Sequence, residues 1–319
     1  MERVLKVAAS ALRVGGICSI VVLFTLSGCG DAEPLAVSAT GGSTGPSEDA
    51  IPIRIGTVGS DVMDEVQTFQ PLIEYLNQQP ELAAYQFKAV AAPDYDSMVR
   101  MLVDKNVEIF VDSPFPIVQL RDRANLKLLL RRSKKGVKEY HSVLFVKKDS
   151  GIDSVEGLLG KAIAFEDPSS TSSYALPAAS LKQDGMTLVS LPRADSSVPD
   201  GAIGYVFSED DDNTFLWVIK GKVTAGATNN VDFDGLPLAQ RDQLSIIYET
   251  KKVARHIVSA RSDLEETFIE PFTAALIQMS ESESGIAALM KFEKTGGFDR
   301  VPDEEAMIRE ISELIETLE

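Results

Sequence analysis

The sequence predicts an α/β protein of two lobes, with the chain crossing twice between them and ending in a helical tail. Three observations lead there. Strand-like and helix-like stretches alternate β-α-β-α-β between Ile51 and Val111; the alternation recurs after Ser142; and beyond Asp263 the apolar spacing is mostly helical. Such alternation builds a parallel sheet covered by helices on its faces.

The elements follow in order. Ile51, Ile53 and Ile55 alternate with Pro52, Arg54 and Gly56, as in a half-buried strand. Phe69, Leu72, Ile73 and Leu76 recur at helical spacing, and Pro71 fits a first turn. Residues 89–92 read as a second strand. Asp94 is then a good N-cap for a helix whose inner face is Tyr95, Met98, Val99 and Leu102. Residues 107–111 form a third strand. In the second unit, residues 142–146 and 162–165 are strand-like, with a short helix at 155–159 between them. A loop at 167–170 then opens a helix running through Leu181. Residues 203–207 and 223–227 give two more strands around a helix at 215–219, where Phe215 and Trp217 read as helix core. Residues 245–248 and 254–259 look extended. Helices follow at 264–279, 285–292 and from Pro302 onward, the last with Met307, Ile311, Leu314 and Leu318 on one face.

Ahead of all this stands an export segment. Arg3, Lys6 and Arg13 precede an apolar run at 14–26, too short to span a bilayer comfortably, which takes about 20 apolar residues. Leu26-Ser27-Gly28-Cys29 resembles the lipobox of bacterial lipoproteins, in which the cysteine becomes the lipidated first residue. An uncleaved anchor with an incidental Cys29 is the alternative, and Arg13 shortens any such span. The division expected is a signal peptide at 1–28, a flexible Gly/Ser-rich tether at 29–50, one lobe from 51–141 with 249–319, and a second lobe from 142–248.

Composition excludes several classes. The chain of 319 residues has a formal charge of −17, and losing the leader, with Arg3, Lys6 and Arg13 against Glu2, takes it to −19. So acidic a chain is not expected to bind nucleic acid, whose affinity comes mainly from Lys and Arg on phosphates. Cys18 leaves with the leader, so Cys29 cannot form an intramolecular disulfide. His141 and His256 cannot make a Cys/His zinc site of the usual kind, and no cofactor is expected. The basic cluster Arg131-Arg132-Ser133-Lys134-Lys135 reads as a solvated face.

Four ordered blocks carry a family resemblance: Ala92-Pro93-Asp94-Tyr95; Glu139-Tyr140-His141-Ser142-Val143 with Lys148-Asp149-Ser150-Gly151-Ile152; Asp167-Pro168-Ser169-Ser170-Thr171-Ser172 with Pro177; and residues 218–227, containing Gly221-Lys222-Val223 and Ala225-Gly226-Ala227. Together they span most of 51–264. The chain resembles the phosphate/phosphite/phosphonate-binding proteins of bacterial ABC uptake systems. The resemblance implies a type II periplasmic binding fold with two hinge crossings, a small oxyanion or phosphonate ligand held between the lobes, and an ABC permease in the inner membrane as partner. It also implies a monomer in the periplasm or on the outer face of the cell membrane, anchored through lipidated Cys29.

The residues explain how such a site would work. Ser170, Thr171 and Ser172 lie where a loop opens into a helix, so free amides and the positive helix end coincide with hydroxyl donors. The helix end supplies about 0.3–2 kcal/mol and each charge-assisted hydrogen bond about 1.5–3 kcal/mol. The plainer reading is an ordinary N-cap. Thr171→Val should weaken binding with little loss of fold. Tyr95 matches a family tyrosine whose hydroxyl reaches the ligand; it also fits core packing. Asp112 and Ser113 fall beyond the carboxyl end of a strand, where open α/β sheets place ligands. Asp112 departs from a tyrosine common in the family, and Asp211 stands near a family histidine; a solvated loop is the alternative for the acidic run 208–213. A carboxylate 4 Å from an anionic oxygen costs about 4 kcal/mol at an effective dielectric near 20. Asp112 and Asp211 cannot both face a bare dianion while ionised: they point away, or one is protonated, or they hold a cationic part of the ligand. The last keeps open the same fold binding an amine-bearing or zwitterionic solute or serving as a sensor-associated receptor. His256, beside Arg255, falls on the return crossing and would offset negative charge if protonated; a hinge-surface role is the alternative. A hydrolase is not expected, for want of a nucleophile with a positioned base, a metal cluster or a Gly-x-Ser-x-Gly elbow. A structural lipoprotein would need repeats that the sequence lacks.

Overall fold

The computed structural model describes residues 50–59 and 61–319; the leader, Cys29 and the tether up to residue 49 lie outside them. The chain begins with β1 (Ile51–Val58), α1 (Val62–Leu76), β2 (Tyr85–Ala92), α2 (Tyr95–Val103), β3 (Ile109–Asp112), α3 (Pro114–Ala124) and β4 (Leu126–Arg132). It crosses after β5 (Glu139–Tyr140) into β6 (Ser142–Lys147) and β7 (Ala162–Phe165). A wide turn at Thr171–Ala175 then enters α4 (Leu176–Gln183). Next come β8 (Leu188–Ser190), β9 (Ile203–Phe207), α5 (Asp211–Ile219), β10 (Ala225–Asn229), α6 (Asn230–Asp234), α7 (Leu238–Arg241) and β11 (Leu244–Glu249). The return runs through β12 (Val253–Ala254), β13 (His256–Arg261), α8 (Glu266–Gln278), α9 (Glu283–Lys291), β14 (Phe298–Arg300) and α10 (Glu304–Leu318).

Two six-stranded sheets result, one in the order β14-β4-β13-β3-β1-β2 and the other β11-β6-β10-β7-β9-β8. In the first, β1 runs parallel to both β2 and β3, while β13 enters antiparallel between β3 and β4. The second repeats this plan: β7 and β9 are parallel, and β10 pairs antiparallel with β6. The crossings are themselves tied together, since β12 pairs with β5 and sets Val253 opposite Tyr140. This is the two-lobed α/β plan that the alternation predicts. Each sheet carries apolar clusters on both faces, so burial sustains each lobe.

α10 joins the two halves. Its Met307, Ile311 and Leu314 are buried with Phe115 and Leu120 of α3 and with Leu176 and Ala179 of α4. Lys182 of α4 donates from Nζ to the carbonyls of Thr317 (2.8 Å) and Leu318 (3.0 Å), closing the C-terminal end of α10 with a cation.

Several local expectations need correction. α1 begins at Val62, so Pro71 lies inside the helix rather than in its first turn. The missed start signal is Asp61, whose carboxylate accepts from the amides of Met63 and Asp64. The basic cluster is not a solvated face. β4 carries Arg132 into the interior at 1 % exposure, against the ring of Phe292 (3.6 Å) and hydrogen-bonded to Thr295 and Glu293. Phe215 is core as expected, stacked on Phe145 at 5.0 Å, and Trp217 is half-buried against the same cluster, with the Lys222 ammonium over its ring at 2.9 Å. The acidic run at 208–213 opens a helix instead of forming a solvated loop: Asp210 caps α5 through the amide of Asn213, and Asp211 is its first residue.

Candidate functional site

Two helix starts meet between the sheets. β3 ends in Asp112, and Ser113 leads into α3, with Pro114 in the first helical position, where no intrahelical N–H is lost. β7 ends at Phe165, and the loop Glu166-Asp167-Pro168-Ser169 delivers Ser170 to the wide turn. There the Ala175 amide donates to the Ser170 carbonyl at 2.9 Å, five residues back, and the Ser170 hydroxyl accepts from the Ser173 amide at 3.1 Å. Wide π-type turns of this kind are rare and recur at functional sites. The leading amides, those of Thr171 and Ser172, have no preceding helical turn to bond.

Thr171 bridges the two starts. Its hydroxyl donates to Ser113 Oγ at 2.9 Å and accepts the Phe115 amide at 3.0 Å, capping α3 from the other lobe. The proton of the Thr171 hydroxyl is thereby engaged, and toward a ligand Thr171 has its amide to offer. The hydroxyls of Ser170 and Ser172 keep donor capacity.

These segments border a cavity of ≈ 600 Å³. Tyr95, Asp112, Ser113, Ser170, Thr171, Ser172, Asp211 and His256, scattered over 162 positions of sequence, all line it. Glu65, Lys134, Tyr140, Glu166, Asp232, Arg255 and Glu293 line it too and escape a sequence reading. Lys134 is hidden in an unremarkable basic run. Tyr140 and Arg255 lie on different crossings, and only the β5–β12 pairing stacks the Arg255 guanidinium over the Tyr140 ring at 4.3 Å. A signal for Glu166 existed in its place directly after an apolar strand, the position that also marks Asp112.

The electrostatics are mixed. Asp112 accepts from the Ser113 amide (2.6 Å) and the Tyr95 hydroxyl (3.1 Å); burial pushes its pKa up to about 6 against these bonds. Tyr95 therefore spends its proton on Asp112 while its ring packs against the core around α2 and α3. Glu166 is raised to about 7 by burial and then by the charge of Asp211. Asp211 is itself raised, by burial and then by Asp232, although the hydroxyls of Thr228 (3.1 Å) and Ser173 (3.3 Å) donate to it. The cations are largely paired: Lys134 to Glu293 at 2.9 Å, and Lys135 to Asp232. His256 is poorly placed to carry the expected positive charge: burial, then the charges of Lys134, Arg132 and Arg255, push its pKa well below the usual imidazole range.

A pocket built this way can hold an oxygen-rich solute. Hydroxyls and amides gather at a helix start, and the Arg255 guanidinium and carboxyls whose pKa burial raises line the same cavity.

Comparison with known proteins points the same way. Residues 59–306 match the family described as "ABC transporter, phosphonate, periplasmic substrate-binding protein". The chain is 24% identical over 280 residues to the phosphate-import protein PhnD of Mycolicibacterium smegmatis, covering 85% of this chain and 83% of that protein. Among solved structures, XAC2383 from Xanthomonas citri bound to chloride is similar with a TM-score of 0.79 and 24% identity, over 84% of this chain and 98% of that one. The same protein bound to ATP gives a TM-score of 0.77 at 24% identity over the same shares. PhnD1 from Prochlorococcus marinus, in complex with methylphosphonate, gives 0.65 at 20% identity, again over 84% and 98%.

Proposed function

The chain belongs to the family of periplasmic substrate-binding proteins of phosphonate ABC transporters, and from that premise we propose that it captures a phosphonate-type tetrahedral oxyanion in the interlobe cavity and passes it to an inner-membrane permease. It is a transport component and not an enzyme. Phosphate and phosphite fall within the same proposal, because they present the same oxygen face. One observation carries it: Ser170, Thr171 and Ser172, at the start of the wide turn where leading amides lack helical partners, line the cavity. The ligands named for the similar proteins, chloride, ATP, methylphosphonate and phosphate, are all anionic.

The proposal extends to a monomer tethered through lipidated Cys29. Capture follows hinge logic: contacts from both lobes favour the closed state. The lobes are to be divided near residues 141 and 249, where the chain crosses.

A second reading has its own support. Asp112, Glu166 and Asp211 face the cavity without a cation paired to them among the described residues, and a zwitterionic ligand such as an aminophosphonate would set its ammonium there. A thermal-shift panel decides. Phosphate, phosphite, methylphosphonate, aminoethylphosphonate and simple amines are compared at high excess; a ligand at 100 times its Kd adds about 2.7 kcal/mol to stability. A shift with methylphosphonate supports the first reading, and one confined to aminoethylphosphonate supports the second. Shifts with amines alone would overturn both.

A further inference from the structure

Arg255 is the unusual cation of the cavity. It is 5 % exposed, lines the cavity, and leaves its Nε without a hydrogen-bond partner among the described residues. Its carboxylate neighbour, Asp232, stands 4.0 Å from the guanidinium and is already paired to Lys135. Lys134, the other deeply placed cation, is held by Glu293 at 2.9 Å. A guanidinium is costly to bury with donors unmet, and burial of this kind persists where a partner completes it.

The backbone of Arg255 is as fixed as its side chain is unfinished. Its amide donates to the Lys138 carbonyl at 2.8 Å, tying the return crossing to the outgoing one. The ring of Tyr140 supports the guanidinium from one face at 4.3 Å. Tyr140 belongs to the outgoing crossing and Arg255 to the bend of the return crossing, so both crossings position the fork. Neighbouring His256, which also lines the cavity, likewise leaves its buried Nδ1 without a hydrogen-bond partner among the described residues.

We infer that Arg255 is the charge anchor of the site, its guanidinium donating to the oxygens of a tetrahedral oxyanion whose other oxygens face the Ser170–Ser172 turn. The inference rests on the oxyanion reading above and adds to it the residue that supplies the positive charge. A planar fork with two adjacent donors matches the edge of a phosphonate or phosphate, which a point-charge ammonium does not. Because the fork grows from the bend between β12 and β13 on the return crossing, the ligand would touch the axis about which the lobes close, in addition to the turn on the second lobe.

The test uses the full-length protein and methylphosphonate. Arg255→Gln should weaken binding at least thirtyfold by calorimetry, about 2 kcal/mol at 1.4 kcal/mol per tenfold, while Arg255→Lys retains part of the affinity. Since Arg255 is buried, the unaltered protein is also followed by Arg-selective 15N NMR, in which the Arg255 Nε–H resonance should move on adding methylphosphonate. Wild-type binding with an unmoved Nε–H, or with Arg255→Gln binding as tightly, overturns the anchor and leaves the oxyanion reading standing. No binding of any oxyanion by the wild type overturns both.

Discussion

Two helices start at the cleft with similar local sequences and end up with different tasks. α3 begins at Ser113-Pro114; the turn into α4 begins at Ser170, with Pro177 in the first turn of the helix. Ser170 caps its own turn, accepting from the Ser173 amide at 3.1 Å. Ser113 caps nothing of its own, and the Phe115 amide goes instead to Thr171, 56 positions away in sequence. One start is closed by the opposite lobe, and the other keeps its leading amides and hydroxyls for the cavity. A capping serine in sequence thus marks a helix start without saying which oxygen completes it; proximity in space decides that.

Each difference can be attacked. The largest effect is expected for Thr171→Val, which leaves the buried Phe115 amide without an acceptor and should cost about 1–3 kcal/mol in urea unfolding. This corrects the expectation of little loss of fold. Thr171→Ser should restore most of the stability, and a valine variant as stable as wild type would remove the cross-lobe cap. Next comes pH, since each start has its own carboxyl with a raised pKa: Asp112, about 6, at α3 and Glu166, about 7, at the α4 turn. Both are raised above their unfolded values, so between about pH 4 and 7 the folded state holds more protons and stability falls as pH rises. For the same reason oxyanion affinity should climb as pH drops from 8 to 6, by at most about tenfold per unit for each proton taken up. Calorimetry on Asp112→Asn and Glu166→Gln should each erase one step, and an unaltered profile in both would discount these carboxyls. Ser170→Ala, which removes the local cap, should cost about 0.5–2 kcal/mol by chemical denaturation and also weaken binding. The smallest change is expected for Lys182→Met at the far end of the interlobe contact, about 0.3–1 kcal/mol of thermal stability as the last carbonyls of α10 lose their cation.

Much of the scaffold was legible. Period-2 and period-3.6 spacing located most strands and helices, and Asp94 marked the start of α2, where its carboxylate accepts from Ser97 at 2.7 Å. β4 was missed, because Leu126, Leu128, Leu129 and Leu130 run into Arg131 and Arg132 and the charges looked exposed. Arg132 is buried because Phe292, Thr295 and Glu293, far along the chain, surround its guanidinium. At the site, the hydroxyl-rich turn could be found from composition and position. Lys134, Tyr140 and Arg255 could not, since each looks ordinary among its sequence neighbours, whereas Glu166 was marked only by its place directly after an apolar strand.

Local chemistry alone dictated the alternating layers, the self-contained caps such as Asp94 and Asp210, and the acidic character of the chain, because periodicity and side-chain type act over a few residues. Which proton, charge or lone pair remained for a guest was settled by packing. Thr171 spends its hydroxyl across the lobes, burial and surrounding cations disfavour a charge on His256, and Arg255 lines the cavity from the bend between β12 and β13. Those outcomes depend on distances between groups remote in the chain, and such distances exist only once both sheets and both crossings have formed.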